Sequence, residues 1–164
     1  MSGEDRNIPS FGNVVKYLED PATRRAIHIG NLTMSQVDQY AVMIASGDVM
    51  NTSKPAIEHV LNAGKYRVLA YNGAWDGVVG AAVSEPLYAG LDWPGNAAFN
   101  ALPRHPYKVD PADEQVAGYV RVVTSGGATF VRVVVRNAGH ILPADQPRVS
   151  KDMIERFVFD RPFP

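Results

Sequence analysis

Two residues in the 164-residue chain have the types and the setting for acid–base work: Asp76 and His140, 64 positions apart. Each follows a β-rich run, at 66–73 and 129–136. A carboxylate that accepts a hydrogen bond from imidazole Nδ1 fixes the ring's tautomer. It leaves Nε2 free to take a proton from a hydroxyl and stabilises the imidazolium that forms. An aspartate followed by a histidine also matches the last two members of a Ser…Asp…His order. Order alone is a weak signal, because many chains place an Asp before a His. Asp145 is the chief rival carboxylate, five positions past His140, and Asp92 is a second. Asp145 stands just before Gln146-Pro147, a placement that predicts a cap on the final helix.

The elements that must hold these residues follow from periodicity and punctuation. Residues 12–29 read as helical, with a fresh start at Pro21 after Asp20 as N-cap, and Gly30 ends them. Val37, Tyr40, Met43 and Ile44 fall at helical spacing within 31–53. A further helix spans 54–62, with Ser53 as N-cap and Gly64 beyond it. The run 66–73 reads as a strand buried on both faces. Residues 78–89 read as helical. Residues 94–115 carry four prolines and read as an irregular surface excursion. Runs 116–123 and 129–135 are β-rich, and Ser125-Gly126-Gly127 between them signals a hairpin. The second run is almost continuously apolar, as in a central strand. Residues 147–158 form the last helix, with Val149, Met153, Ile154, Phe157 and Val158 on one stripe. Strands alternating with helices predict an α/β layer architecture. Chemistry in such sheets lies at the carboxyl ends of strands, where Asp76 and His140 fall. The Asp-then-His order is that of the α/β-hydrolases.

Composition narrows the partners. The chain is 46% hydrophobic and 20% charged, which fits one globular domain. A net charge of −1 excludes the basic footprint of a dedicated nucleic-acid binder. No apolar run reaches the ~18 residues that a bilayer span needs, so no membrane partner is expected. There is no cysteine, hence no disulfide, thiolate ligand or cysteine nucleophile. No His/Asp/Glu spacing calls for a metal, and no cofactor is expected. His28, His59 and His105 read as structural: His28 packed at a helix end, His59 exposed in mid-helix, His105 between prolines. Trp75 and Trp93 read as core or rim packing. Asn31 and Asn51 begin N-x-[ST] sequons. The polar start MSGEDRNIPS has no apolar core, so as written it is not a signal peptide, and 1–11 is expected to be flexible.

The local sequences carry a resemblance. Asn72-Gly73-Ala74-Trp75-Asp76 is similar to the N-G-x-x-D segment of serine carboxypeptidases. Asn137-Ala138-Gly139-His140-Ile141-Leu142-Pro143-Ala144-Asp145-Gln146-Pro147 resembles that family's G-G-H-hydrophobic-hydrophobic-P-x-D-Q-P segment. Met153-Ile154-Glu155-Arg156-Phe157 looks like its closing helix, and Val116-Ala117-Gly118-Tyr119-Val120 like the strand before the histidine hairpin. Val78-Val79-Gly80-Ala81-Ala82, Leu91-Asp92-Trp93 and Arg25-Ala26-Ile27-His28-Ile29-Gly30-Asn31 resemble the vitellogenic-like branch. The resemblance covers roughly 14–159.

It implies the C-terminal portion of an α/β-hydrolase fold and a serine-type carboxypeptidase acting on the C-terminus of a peptide. His140 would be the general base and acid, and Asp76 its orienting partner. Ile141 would wall the leaving-group side of the cleft; plain packing remains the other reading of Ile141. Asn31 matches a position where relatives of that branch carry a sequon. The family's typical places are secreted, lysosomal or vacuolar. The family's nucleophile stands in G-E-S-Y-A-G. None of the eight serines here, Ser2, Ser10, Ser35, Ser46, Ser53, Ser84, Ser125 and Ser150, lies in G-x-S-x-G. The nucleophile half is therefore expected to be absent from this chain and supplied by a serine-bearing N-terminal half. A truncated, inactive, partner-binding paralogue and an acyltransferase are the other readings.

Overall fold

The computed structural model describes residues 11–30, 39–47 and 51–163. The chain divides into two units, 1–51 and 52–164, and each is taken by itself. Residues 1–10, Val37 and the Asn31 sequon lie outside the described residues.

The first unit holds α1 (Phe11–Glu19), α2 (Pro21–Ala26) and α3 (Gln39–Ala45). Asp20 caps α2 as its type predicts: its Oδ2 accepts from the Thr23 amide at 2.9 Å. The helix ends at Ala26, earlier than periodicity suggests. His28 then takes a left-handed φ of 57° and is exposed, not packed at the helix end.

The second unit opens with α4 (Lys54–Asn62), where Pro55 starts the helix but Ser53 makes no side-chain cap bond. Next come β1 (Arg67–Gly73), α5 (Ala81–Ala89), α6 (Asn96–Ala101), β2 (His105–Tyr107), β3 (Gly118–Ser125), β4 (Ala128–Val135), α7 (Leu142–Asp145) and α8 (Pro147–Val158). The sheet is mixed, in the order β1-β4-β3-β2. β1 runs parallel to β4, with Arg67 opposite Thr129 and Gly73 opposite Val135. β4 and β3 form the antiparallel hairpin that Gly126 and Gly127 predict; both glycines have positive φ.

The alternation of β4 separates two cores. Val131, Val133 and Val135 face Tyr107, Leu142, Val149 and Met153. Ala128 and Phe130 face Leu61, Leu91, Trp93 and Phe99. Helices thus cover both faces, the α/β layering that the sequence predicts. β4 has a strand on either side, as its almost continuous apolar run predicts.

Three expectations change. β1 is an edge strand in this sheet and is only half-buried, with Tyr71 exposed, because one side of it has no strand among the described residues. The segment 94–115 is not irregular throughout. It holds α6 and β2, which bury Phe99 and Tyr107 completely. Residues 78–80 form the entry to α5, and the helix begins only at Ala81.

Candidate active site

Parallel pairing of β1 with β4 brings their carboxyl ends, Gly73 and Val135, side by side. Each strand then releases a loop, and the loops cross backbone on backbone. The Ala74 amide donates to Val135 O at 2.8 Å, and the Trp75 amide to Ala138 O at 2.9 Å. Gly73 is what permits the crossing. A Cβ there would overlap the carbonyl oxygens of Ala138 and Gly139. The Asp76 amide donates back to Gly73 O at 3.2 Å and closes a turn. Asn72 steadies that turn from below, its Nδ2 donating to Val79 O at 2.7 Å.

The crossing places Asp76 against His140. Asp76 Oδ2 lies 3.1 Å from His140 Nδ1. Oδ1 accepts from the amides of Val78 at 2.8 Å and Val79 at 2.9 Å. This local side-chain-to-backbone pattern favours Asp at a turn. It also fixes the carboxylate: one oxygen belongs to the loop and the other to the imidazole. The Asp76 side chain is 5% exposed, whereas that of His140 is 55% exposed. The Val79 amide does most to hold the Asp76 carboxyl below the usual carboxylate range. Burial opposes it, and His140 and the Val78 amide add to it. Asp76 is thus ionised at neutral pH.

An ionised carboxylate on Nδ1 favours the tautomer with the proton on Nδ1 and a lone pair on Nε2. That arrangement can accept a proton at Nε2 and hold the resulting cation. No serine hydroxyl is hydrogen-bonded to His140 among the described residues. Ser84 donates to Gly80 O, and Ser150 Oγ is buried without a partner. Among the described residues no three His, Asp or Glu side chains converge as a metal site. No helix among them is long and apolar enough to cross a membrane.

The other sequence candidates fall as follows. Ile141 is exposed next to His140. Trp93 is core, but Trp75 is 70% exposed. Its amide is tied into the loop crossing, and its ring stands outside. Of the two roles expected for it, core and rim, the core role is not met. His59 and His105 are exposed. Asn51 is exposed, ahead of Ser53.

Asp145 does not cap α8. Its Oδ2 accepts from the Gly139 amide at 2.6 Å, while the N-terminus of α8 has no side-chain cap. Gln146 Nε2 donates to Asn137 O at 3.1 Å. Sequence reasoning missed both contacts. The only signal was a pair of hydrogen-bonding residues directly before a proline, which helix capping explained as well.

The family model for serine carboxypeptidase matches residues 2–160 of the chain. The chain belongs to the serine carboxypeptidase family. It is 40% identical over 146 residues to a mouse protein named probable serine carboxypeptidase CPVL, covering 89% of this chain and 29% of that one. It is 34% identical to the venom serine carboxypeptidase of Apis mellifera, with 92% and 30% covered. It is 30% identical to the vitellogenic carboxypeptidase of Aedes aegypti, with 88% and 29% covered. The chain thus spans about three-tenths of the length of these relatives. Its mixed sheet, with helices on both faces, is a partial α/β-hydrolase fold. The relatives are named as carboxypeptidases, and the family match extends over both crossing loops.

Proposed function

We propose that the chain carries the acid–base part of a serine carboxypeptidase active site. His140 is the general base and acid, and Asp76 orients it. In the acylation step a serine hydroxyl adds to the carbonyl of a peptide's last bond. Its proton passes to His140 Nε2 as the serine O–C bond forms. The tetrahedral centre then collapses, the C–N bond breaks, and the imidazolium returns the proton to the departing amino group. Water then adds to the acyl-enzyme and gives its proton to His140; the ester C–O bond breaks, the imidazolium returns the proton to the serine oxygen, and the shortened peptide leaves.

The observation that carries this reading is the contact of 3.1 Å between Asp76 Oδ2 and His140 Nδ1 across two loops fastened to each other. The family match supports it. We place the nucleophile on a serine-bearing portion of the enzyme outside these 164 residues, because no serine here stands in the family's setting. A secreted, lysosomal or vacuolar location belongs to the same proposal, as does glycosylation at Asn31, the better candidate, and at Asn51, which is exposed.

The test is release of the terminal amino acid from N-blocked dipeptides. The 164-residue chain alone is expected to show no turnover, since loss of a triad nucleophile costs on the order of 10⁶ in rate. Assembly with the serine-bearing portion is expected to give turnover that a serine-directed phosphonate blocks and His140→Ala abolishes. Phosphonate-sensitive turnover by the chain alone would overturn the placement of the nucleophile. An active assembly indifferent to His140→Ala would overturn the role of His140. An assembly that binds but never cleaves favours the inactive paralogue, and transfer to an alcohol or amine in place of water favours the acyltransferase.

A further inference from the structure

We infer that Asp145 and Gln146 are positioning residues that clamp the loop carrying His140, so that its imidazole meets Asp76 through Nδ1. This rests on the roles given above to His140 and Asp76 and adds two residues that hold them in register.

The loop between β4 and α7 is fastened at three consecutive residues by three groups from elsewhere. Gln146 Nε2 donates to Asn137 O at 3.1 Å. The Trp75 amide donates to Ala138 O at 2.9 Å. The Gly139 amide donates to Asp145 Oδ2 at 2.6 Å. The middle bond belongs to the loop crossing, and the outer two belong to this pair. The Gly139 bond is charge-assisted, the stronger class of hydrogen bond. It also lies one residue before the imidazole. Gly139 suits the approach: a Cβ there would stand 3.2 Å from Asp145 Oδ2, a tight contact.

The local backbone explains how two adjacent side chains reach opposite ends of one loop. Gln146 ends α7 and precedes α8, with φ −134° and ψ 66°. This single non-helical residue breaks the helical course between them. Pro147 follows at the first position of α8, where it has no amide to satisfy. A cap on that helix would contribute on the order of tenfold in stability, yet neither side chain makes one. Both reach back to the loop instead. A hydrogen bond weakens steeply with misalignment, so rotation of the loop about Gly139 would carry Nδ1 away from Asp76.

The test reads the imidazole directly, in the chain itself, by ¹⁵N–¹H spectra of the histidine ring and exchange of the Gly139 amide. The wild-type ring of His140 is expected as the Nδ1–H tautomer. Asp145→Ala is expected to move it towards the Nε2–H form preferred by free imidazole and to speed Gly139 exchange on the order of tenfold. Asp145→Asn keeps an acceptor of the same length and is expected to rescue both readouts. Gln146→Met keeps the length, removes the donor, and tests the other end of the clamp even where Asp145→Ala fails to fold. It is expected to shift the tautomer in the same direction. An unchanged tautomer in Asp145→Ala or Gln146→Met, with only a lowered melting temperature, overturns the clamp and leaves the Asp76–His140 pair standing. A wild-type ring already in the Nε2–H form overturns the pair itself, and the clamp with it.

Discussion

Asp76 divides its two oxygens between tasks, and that division decides what a substitution does. Asparagine at 76 can keep Oδ1 on the Val78 and Val79 amides, so the loop survives. Its Nδ2 then faces His140 Nδ1 as a donor. The ring must answer with a lone pair at Nδ1, which puts its proton on Nε2, where a base needs none. We expect Asp76→Asn to lower kcat of the assembled enzyme by about 10⁴ while KM changes little. Combining it with His140→Ala should add almost nothing, since both serve one proton transfer. Single-turnover and steady-state kinetics on the two single variants and the double check this. Full activity in Asp76→Asn together with its loss in Asp92→Asn or Asp145→Asn would move the carboxylate's role elsewhere. The clamp predicts the opposite for Asp145→Asn, because an amide oxygen can still accept from Gly139.

At the scale of elements, the site depends on parallel strands ending at the same level and on loops that touch. Gly73→Ala tests this without altering a chemical group. The new methyl would overlap two carbonyl oxygens of the facing loop. We expect a loss of about 1–3 kcal/mol in stability from the forced shift, read by denaturant melting. The Nδ1–H signal of His140 should weaken in parallel. A variant with lower stability and an unchanged ring spectrum would show that the crossing does not set the pair. Much of this level was legible in the sequence. The apolar run of β4, the glycine hairpin and the stripe of α8 each follow from a local signal: a nearly continuous apolar stretch, a glycine pair and a period of 3.6. Asp76 and His140 stood out because each lies in the loop after a strand and within a segment that resembles the serine carboxypeptidases. The Gly139–Asp145 bond was not legible, because local rules give an acid before a proline to the helix it precedes. β2 and α6 were missed because four prolines in 94–115 outweighed Phe99 and Tyr107, whose burial depends on contacts far away in the chain.

Across the second unit, charge is concentrated where a sheet usually has none. Arg132 on β4 and Arg121 on β3 are cross-strand partners, and both are buried. Each binds Glu85 of α5, and Arg104 adds a third guanidinium. The rings of Phe99 and Tyr88 underlie Arg121 and Arg132. Burial alone would raise the Glu85 carboxyl; the three cations outweigh it and hold it below its ordinary 4.5. Asp113, paired with Arg148, and Asp76 are likewise held below 3.8. A carboxylate depressed in the folded state stabilises the fold above its unfolded pKa. That stabilisation is lost as pH falls through the folded value. Thermal stability should therefore stay level near neutrality and decline from about pH 5 downward. Glu85→Gln strands the guanidiniums, and should cost about 3–5 kcal/mol near neutrality and flatten the acid slope. An unchanged slope in that variant would remove Glu85 from the account.

The backbone contact at Gly73 also bears on how such a site can be inherited. Two loops that touch main chain to main chain cannot drift independently, whatever distance separates them in the gene. A chimera that takes the aspartate loop from one relative and the histidine loop from another joins two surfaces never shaped against each other. Exchange of both loops together keeps the fit. Recombination between relatives should therefore succeed when its crossovers fall outside the whole stretch from Asn72 to Gln146.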